Sequence, residues 1–163
     1  MSSTRSVAFL VAAGLMFGSA GVLLEGLQRL PAEAQVDFVT LANGFTPNPT
    51  VLKGVGGGDR VAETVVNTRQ SLTGPCLGYI SVNPNEEVTL QTAFSNLEIR
   101  VESALDTTLI VEGPGGVWCN DDSGSHNPAI AGEWLAGSYR VWVGAYRAKD
   151  KPDYELSILD RLP

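Results

Sequence analysis

Apolar residues recur at every second position through most of this chain, and almost nowhere at helical spacing. Leu97, Ile99 and Val101 alternate with Glu98, Arg100 and Glu102, the pattern of a strand with one buried and one wet face. Val88 and Leu90 do the same between Glu87, Thr89 and Gln91. Leu109 and Val111 follow Thr108 and stop at Gly113-Pro114-Gly115-Gly116, a run of turn formers. Tyr139, Val141 and Val143 alternate with Arg140, Trp142 and Gly144, and Tyr154, Leu156 and Ile158 close the series. Weaker strand patterns cover 51–55, 61–66 and 77–82. Together these make about eight short strands with turns roughly every ten residues. They predict an all-β chain, a single jelly-roll-like antiparallel β-sandwich over 50–163. Residues 35–49 read as an N-terminal tether or edge segment, because Pro47 and Pro49 supply no ladder donors.

The start of the chain follows another rule. Arg5 is the only charge before an apolar run from Val7 to Leu24, and Ala32-Glu33-Ala34 places small residues where a signal peptidase reads. This predicts a signal peptide over 1–34. The alternative is an uncleaved membrane anchor, since the run approaches the ~18 apolar residues of a spanning helix. Both readings put the folded part outside the cytoplasm, periplasmic or secreted; cleavage leaves it without a membrane partner. About 130 residues then remain, enough for one core. The net charge of −7, with no Lys/Arg cluster of the nucleic-acid-binding type, excludes nucleic acid as a partner.

Cys76 and Cys119 are the two cysteines of the chain. In an oxidising compartment an isolated pair forms one disulfide. A zinc site built from both thiolates and His126, the one histidine, lacks a fourth ligand and any C-x-x-C spacing.

Several stretches invite chemistry. Gly54-Val55-Gly56-Gly57-Gly58-Asp59 fails as a phosphate loop, because Asp59 stands where the last glycine is needed and no Lys-Ser/Thr follows. It reads as a flexible hairpin connection. Asp122-Ser123-Gly124-Ser125 looks like a protease nucleophile segment, yet His126 lies in the same loop rather than across the fold from the serine. Asp121 and Asp122 point to opposite sides of an extended chain and make no acid/base pair. Catalysis is therefore the weakest reading. The loop Asn120 to Asn127 is rich in oxygen donors, so Asp106, Asn120, Asp121 and Asp122 are candidate calcium ligands, without EF-hand spacing. The alternative is that these aspartates cap turns through nearby backbone amides. Trp142, Arg140 and Tyr146 fall on the face opposite Tyr139, Val141 and Val143. If the valines face the core, these three form a candidate sugar- or peptide-stacking platform; if both faces are covered, Trp142 is structural.

The motifs Asp106-Thr107-Thr108-Leu109, Gly113-Pro114-Gly115-Gly116, Asn120-Asp121-Asp122, Gly137-Ser138-Tyr139-Arg140-Val141-Trp142-Val143 and Tyr154-Glu155-Leu156 run in the order found in bacterial pre-peptidase C-terminal domains. Over roughly 96–159 the chain resembles that family of β-sandwiches. Phe45-Thr46-Pro47-Asn48-Pro49 and Trp118-Cys119-Asn120-Asp121-Asp122 are similar to motifs of small secreted bacterial proteins of unknown role. The resemblance implies a non-catalytic module that binds a macromolecular partner, protein or glycan, or supports a secreted enzyme. A carbohydrate-binding module using Trp142, Tyr146 and Arg140 is the alternative, and a hydrolase comes third.

Overall fold

A computed structural model describes residues 36–161. The signal-peptide expectation, and the choice between cleavage and anchor, lie outside the described residues. The chain forms strands β1 (Asp37–Leu41) and β2 (Thr50–Val55), then an excursion of short elements: β3 (Arg60–Val61), α1 (Ala62–Val65), β4 (Gln70–Ser71), β5 (Gly74–Pro75) and β6 (Tyr79–Ile80). Seven longer strands follow: β7 (Glu86–Leu90), β8 (Phe94–Ser103), β9 (Thr107–Gly113), β10 (Gly116–Asn120), β11 (Ala129–Trp134), β12 (Gly137–Ala145) and β13 (Asp153–Asp160). No helix among the described residues is long and apolar enough to cross a membrane.

Two sheets carry the fold, as the alternation predicts. One has the order β11-β8-β13-β2. The other is centred on β12, which pairs with β7 through residues 137–141 and with β9 through residues 140–145. β10 extends this sheet beyond β9, β6 and β3 attach at the end of β12, and β1 closes the edge beyond β7. Every pairing is antiparallel except β1 with β7, which is parallel. Asn48, in the connection from β1 to β2, donates to the Asp160 carbonyl at 2.9 Å and accepts from its amide at 3.0 Å.

Between the sheets sit the residues with the clearest two-residue period. Val88, Leu90, Leu109, Val111, Tyr139, Val141 and Val143 face Leu97, Ile99, Val101, Leu156 and Ile158. Each such side chain, fully buried, contributes about 1.5–3 kcal/mol. Trp118, Trp134 and Tyr139 close one region of this core with ring centroids 5.2–6.2 Å apart. Trp134 donates its indole N–H to the Leu97 carbonyl at 2.9 Å, so its polar edge is satisfied. Gly113 lets the Tyr139 ring approach, since a Cβ there would lie 2.3 Å from the ring.

The outer face of the β9–β12 region carries a second core. Ala62, Val66, Cys76 and Ile80 from the excursion cover Ile110, Cys119 and Trp142. The Cys76–Cys119 disulfide, with Cα atoms 5.0 Å apart, fastens the excursion across a separation of 43 residues. Cys119 is tied again through hydrogen bonds: its N–H lies 2.9 Å from Ser71 Oγ and its carbonyl accepts from Thr73 Oγ1 at 2.9 Å.

Three local expectations change here. Residues 61–66 are not a strand: Ala62–Val65 is a helical turn, and the Val66 amide donates to the Ala62 carbonyl at 3.1 Å. Four residues apart, Ala62 and Val66 share one helix face and both are buried on the second core. Of 77–82 only Tyr79 and Ile80 pair. The glycine run after β2 is not a flexible hairpin connection but a tight crossover between sheets. A Cβ at Gly58 would lie 2.0 Å from the Ile80 backbone, and one at Gly57, whose φ is +80°, 2.4 Å from the Asp150 carbonyl.

Replacing both cysteines by alanine is expected to destabilise the protein by roughly 4 kcal/mol, the chain-entropy value for a loop of this length. Trp142→Ala is expected to cost about 3–5 kcal/mol, because it empties a buried aromatic site. Urea unfolding followed by circular dichroism checks both; an unchanged midpoint for either would show that the second core contributes little.

Candidate functional site

The candidate stacking platform does not exist as an exposed surface. Trp142 is only 1% exposed, roofed by the excursion, and this burial corrects its reading as a stacking ring. Arg140 lies with its guanidinium carbon 5.4 Å from the Trp142 ring centroid and donates to Glu112 Oε2 at 2.7 Å. Arg140 and Tyr146 stay exposed, the Arg140 side chain at 55% and Tyr146 at 45%, but without the Trp142 ring between them they make no stacking platform.

Exposed polar chemistry gathers instead at one end of the sandwich, where β2, β8 and β12 finish and β7, β9 and β13 begin. Three connections meet there: residues 104–106, 121–128 and 146–152. The middle one is held at both ends. Asn120 Oδ1 accepts from the Ala129 amide at 3.1 Å, and Asn127 donates to the Ser103 carbonyl at 3.1 Å while its Oδ1 lies 3.3 Å from the Thr107 hydroxyl. The Thr107 amide donates to the His126 carbonyl at 3.2 Å. Ser125 Oγ accepts from the Asn127 amide, which tightens the turn.

This bracing gathers Asp106, Asp122 and His126, whose ligand atoms lie within 4.8 Å of one another. His126 Nδ1 is 4.0 Å from Asp106 Oδ2. The four expected calcium ligands therefore do not assemble as a set. Asp106 and Asp122 come together, whereas Asn120 uses its side-chain oxygen on Ala129 and its amide towards the Thr73 carbonyl at 3.5 Å. Asp121 stays outside the group, and His126 enters it.

Two clefts flank the connection after β12. One of about 300 Å³ is lined by Asp106, His126, Asn127, Arg147 and Asp150, among others. A second, of about 570 Å³, is bordered by Tyr79, Ser81, Lys149, Asp150 and Lys151. Asp150 borders both.

At this same end a carboxyl is buried between the sheets. The inward positions of β7 are Glu86, Val88 and Leu90, so the two-residue period carries Glu86 inside, where it is 1% exposed. Tyr154 donates its hydroxyl to Glu86 Oε1 at 2.6 Å, and Oε2 has no partner among the described residues. Burial pushes the Glu86 carboxyl up to about 7; the Tyr154 hydrogen bond pulls the other way, and the nearby charge of Asp37 adds to the rise. Burial, and then the bond to Glu86, raise the Tyr154 phenol. Asn85 joins the two sheets, donating to the Val55 carbonyl at 3.1 Å and accepting from the Val143 amide at 2.9 Å. Glu86 and the cationic side chains after β12 went unremarked in the sequence. Only the phase of Glu86 with Val88 and Leu90 signalled the first.

Fold and site together define a disulfide-stapled antiparallel β-sandwich with a braced polar loop end. No protein-family model matches the chain. Over 114 residues it is 32% identical to Uncharacterized protein Synpcc7942_2126 of Synechococcus elongatus, covering 68% of this chain and 75% of that protein. The chain belongs to that protein's family. Its fold is similar to the pre-peptidase C-terminal domain of a Bacillus anthracis collagenase, with a TM-score of 0.45, 13% identity, and coverage of 77% of this chain and 96% of that one. It is also similar to PliG of Aeromonas hydrophila, a periplasmic inhibitor of g-type lysozyme, with a TM-score of 0.42, 15% identity, and coverage of 77% and 98%.

Glu86 sets a pH dependence. Its carboxyl titrates near 7 when folded, against an ordinary value of 4.5, so the native protein holds a proton that the unfolded chain releases between those limits. This contribution to stability is complete below about pH 4.5 and is lost as pH rises through about 7, by about 3 kcal/mol at most. Urea midpoints measured from pH 5 to pH 8 are expected to fall, and Glu86→Gln to flatten the fall. A wild-type midpoint that rises across this range would contradict the assignment.

Proposed function

We propose that the chain is an extracytoplasmic, non-catalytic β-sandwich module that binds a macromolecular partner through its loop end, and that a divalent cation orders that end. The observation carrying this reading is the convergence of three exposed polar connections on one end of a scaffold with two cores. A formed disulfide is the chemistry of an oxidising compartment and supports the location.

The cation would be held by Asp106, Asp122 and His126. Calcium takes six to eight oxygens and would need carbonyl and water oxygens besides the two carboxylates. One imidazole nitrogen with two carboxylates suits zinc, a borderline ion, or manganese, a harder one.

Thermal melts of the exported protein test the cation. A bound ion at a hundred times its Kd stabilises by about 2.7 kcal/mol, so melts with zinc or manganese are expected to lie above melts with chelator. Asp122→Asn should abolish the difference. His126→Ala should remove the response to zinc while leaving any response to calcium. Superimposable melts in all ions would eliminate the cation. Binding is tested separately, by co-sedimentation of the purified protein with the cell-envelope fraction of its host. Retention is expected for the wild type and to be lost when Asp106, Asp122 and Arg147 are replaced together by alanine. A protein that never sediments, with or without added cation, would end the module reading.

A further inference from the structure

We propose that Arg147, Lys149 and Lys151 form a docking site for an acidic polysaccharide, with Tyr79 and Tyr146 presenting ring faces to the sugars. The proposal rests on the module reading and names the partner's chemistry.

The first observation is an imbalance in ion pairing. The described residues include nine lysines and arginines. Six are paired: Lys53 with Glu155, Arg60 with Asp59, Arg69 with Glu63, Arg140 with Glu112, and Arg100 and Arg161 both with Glu98. The three left over are Arg147, Lys149 and Lys151, all in one connection. Acidic residues outnumber basic ones 18 to 11 in this chain, so carboxylate partners are plentiful. Three unpaired cations in five residues are a local concentration that no shortage of acids explains.

The second observation is where the three sit. Lys149 and Lys151 border the cleft of about 570 Å³, and Arg147 borders the adjoining one. An extended ligand could run across both, past Tyr79 in the first cleft and Tyr146 at the root of the connection. Rings of this kind, apolar in body with a polar tip, suit the alternating apolar faces and hydroxyl edges of sugars.

The lining also selects among anions. Asp59, Asp150 and Ser81 stand beside the lysines. A polymer with a phosphate at every unit and few free hydroxyls would meet only repulsion at the two carboxylates. An acidic peptide brings few hydroxyls to Asp59 and Asp150 and could offer them mainly its backbone amides. A uronate chain uses both kinds of group, its carboxylates meeting Lys149, Lys151 and Arg147 and its hydroxyls donating to the aspartates.

The connection is also held in shape before any ligand arrives. The Tyr146 amide donates to the Asp106 carbonyl at 3.1 Å, and the Pro152 carbonyl accepts from Gly56 at 2.8 Å. Gly57 packs so closely that a Cβ would lie 2.4 Å from the Asp150 carbonyl. Lys149 itself has φ of +74°, a conformation that non-glycine residues rarely adopt and that surrounding structure must enforce. A pre-shaped loop loses less entropy on binding.

Retention of the exported full chain on immobilised polygalacturonate tests the proposal, with dextran and poly-glutamate as parallel supports. Wild-type protein is expected to bind polygalacturonate and not dextran, with binding that weakens between about 50 and about 300 mM salt. Arg147→Gln with Lys149→Gly and Lys151→Gln should lower binding by about tenfold or more, with an unchanged melting temperature; Lys53→Ala, which removes a paired cation elsewhere, should leave it intact. If the triple variant fails to fold, Lys151→Gln alone should lower binding severalfold. Absence of binding, or equal binding by the loop variants, overturns the site, and preference for poly-glutamate transfers it to an acidic protein. A protein that sediments with the envelope but ignores polygalacturonate ends this proposal and leaves the module reading standing.

Discussion

The stapling of the 60–80 excursion onto Ile110, Cys119 and Trp142 is the constraint on which the rest of the molecule depends. A lone sandwich buries one face of each sheet and wets the other. Here β9 and β12, the central strands of their sheet, carry large apolar side chains on both faces. An aromatic of this size buries 150–250 Å², and left bare with Ile110 it would form an apolar patch inviting association. The excursion is too short and too polar to fold alone, with only a single helical turn and a few two-residue strands. It becomes structure because it is pressed against Trp142 and bonded to Cys119.

That roof also determines where chemistry can occur. With Trp142 on the outer face of β12 covered, exposed polar groups concentrate in the strand connections, and the bracing of 121–128 and 146–152 gives one end a defined shape. β6, the last piece of the excursion, lies beside the end of β12 and delivers Tyr79 to the larger cleft. Glu86 and Tyr154 lie buried between the sheets at that same end. The Glu86 carboxyl is thus coupled to the stability of the region that displays the polar loops.

Alternation revealed the inner core because it states which side chains share a face. It says nothing about what covers the other face, and Trp142 was therefore legible as out of phase with Val141 and Val143 but not as buried. The same limit hid the helical turn at Ala62–Val65, where four residues carry no period worth counting. Among the glycines, freedom and close approach look alike in a sequence; only the 2.0 Å separation at Gly58 tells them apart. The disulfide was readable because two lone cysteines in a chain expected to leave the cytoplasm have one simple fate. The grouping of Asp106 with Asp122 and His126 was not, since it depends on Asn120 and Asn127 being consumed by backbone bonds. Nor could the idle cations after β12 be recognised before every other lysine and arginine among the described residues had been matched to its carboxylate.

The parallel edge strand has a mechanical meaning. β1 runs alongside β7 in register from Asp37 opposite Glu86 to Leu41 opposite Leu90, so the chain enters the sandwich at the end that carries the polar loops. Tension applied ahead of Asp37 and directed out of that end pulls β1 along its own axis. Its ladder of hydrogen bonds then carries the load together, in shear, instead of opening one rung at a time as an antiparallel hairpin would if peeled. Force passed along the backbone in that direction would meet the strongest geometry a five-residue strand can offer, and would be borne beside the very loops proposed to hold the partner.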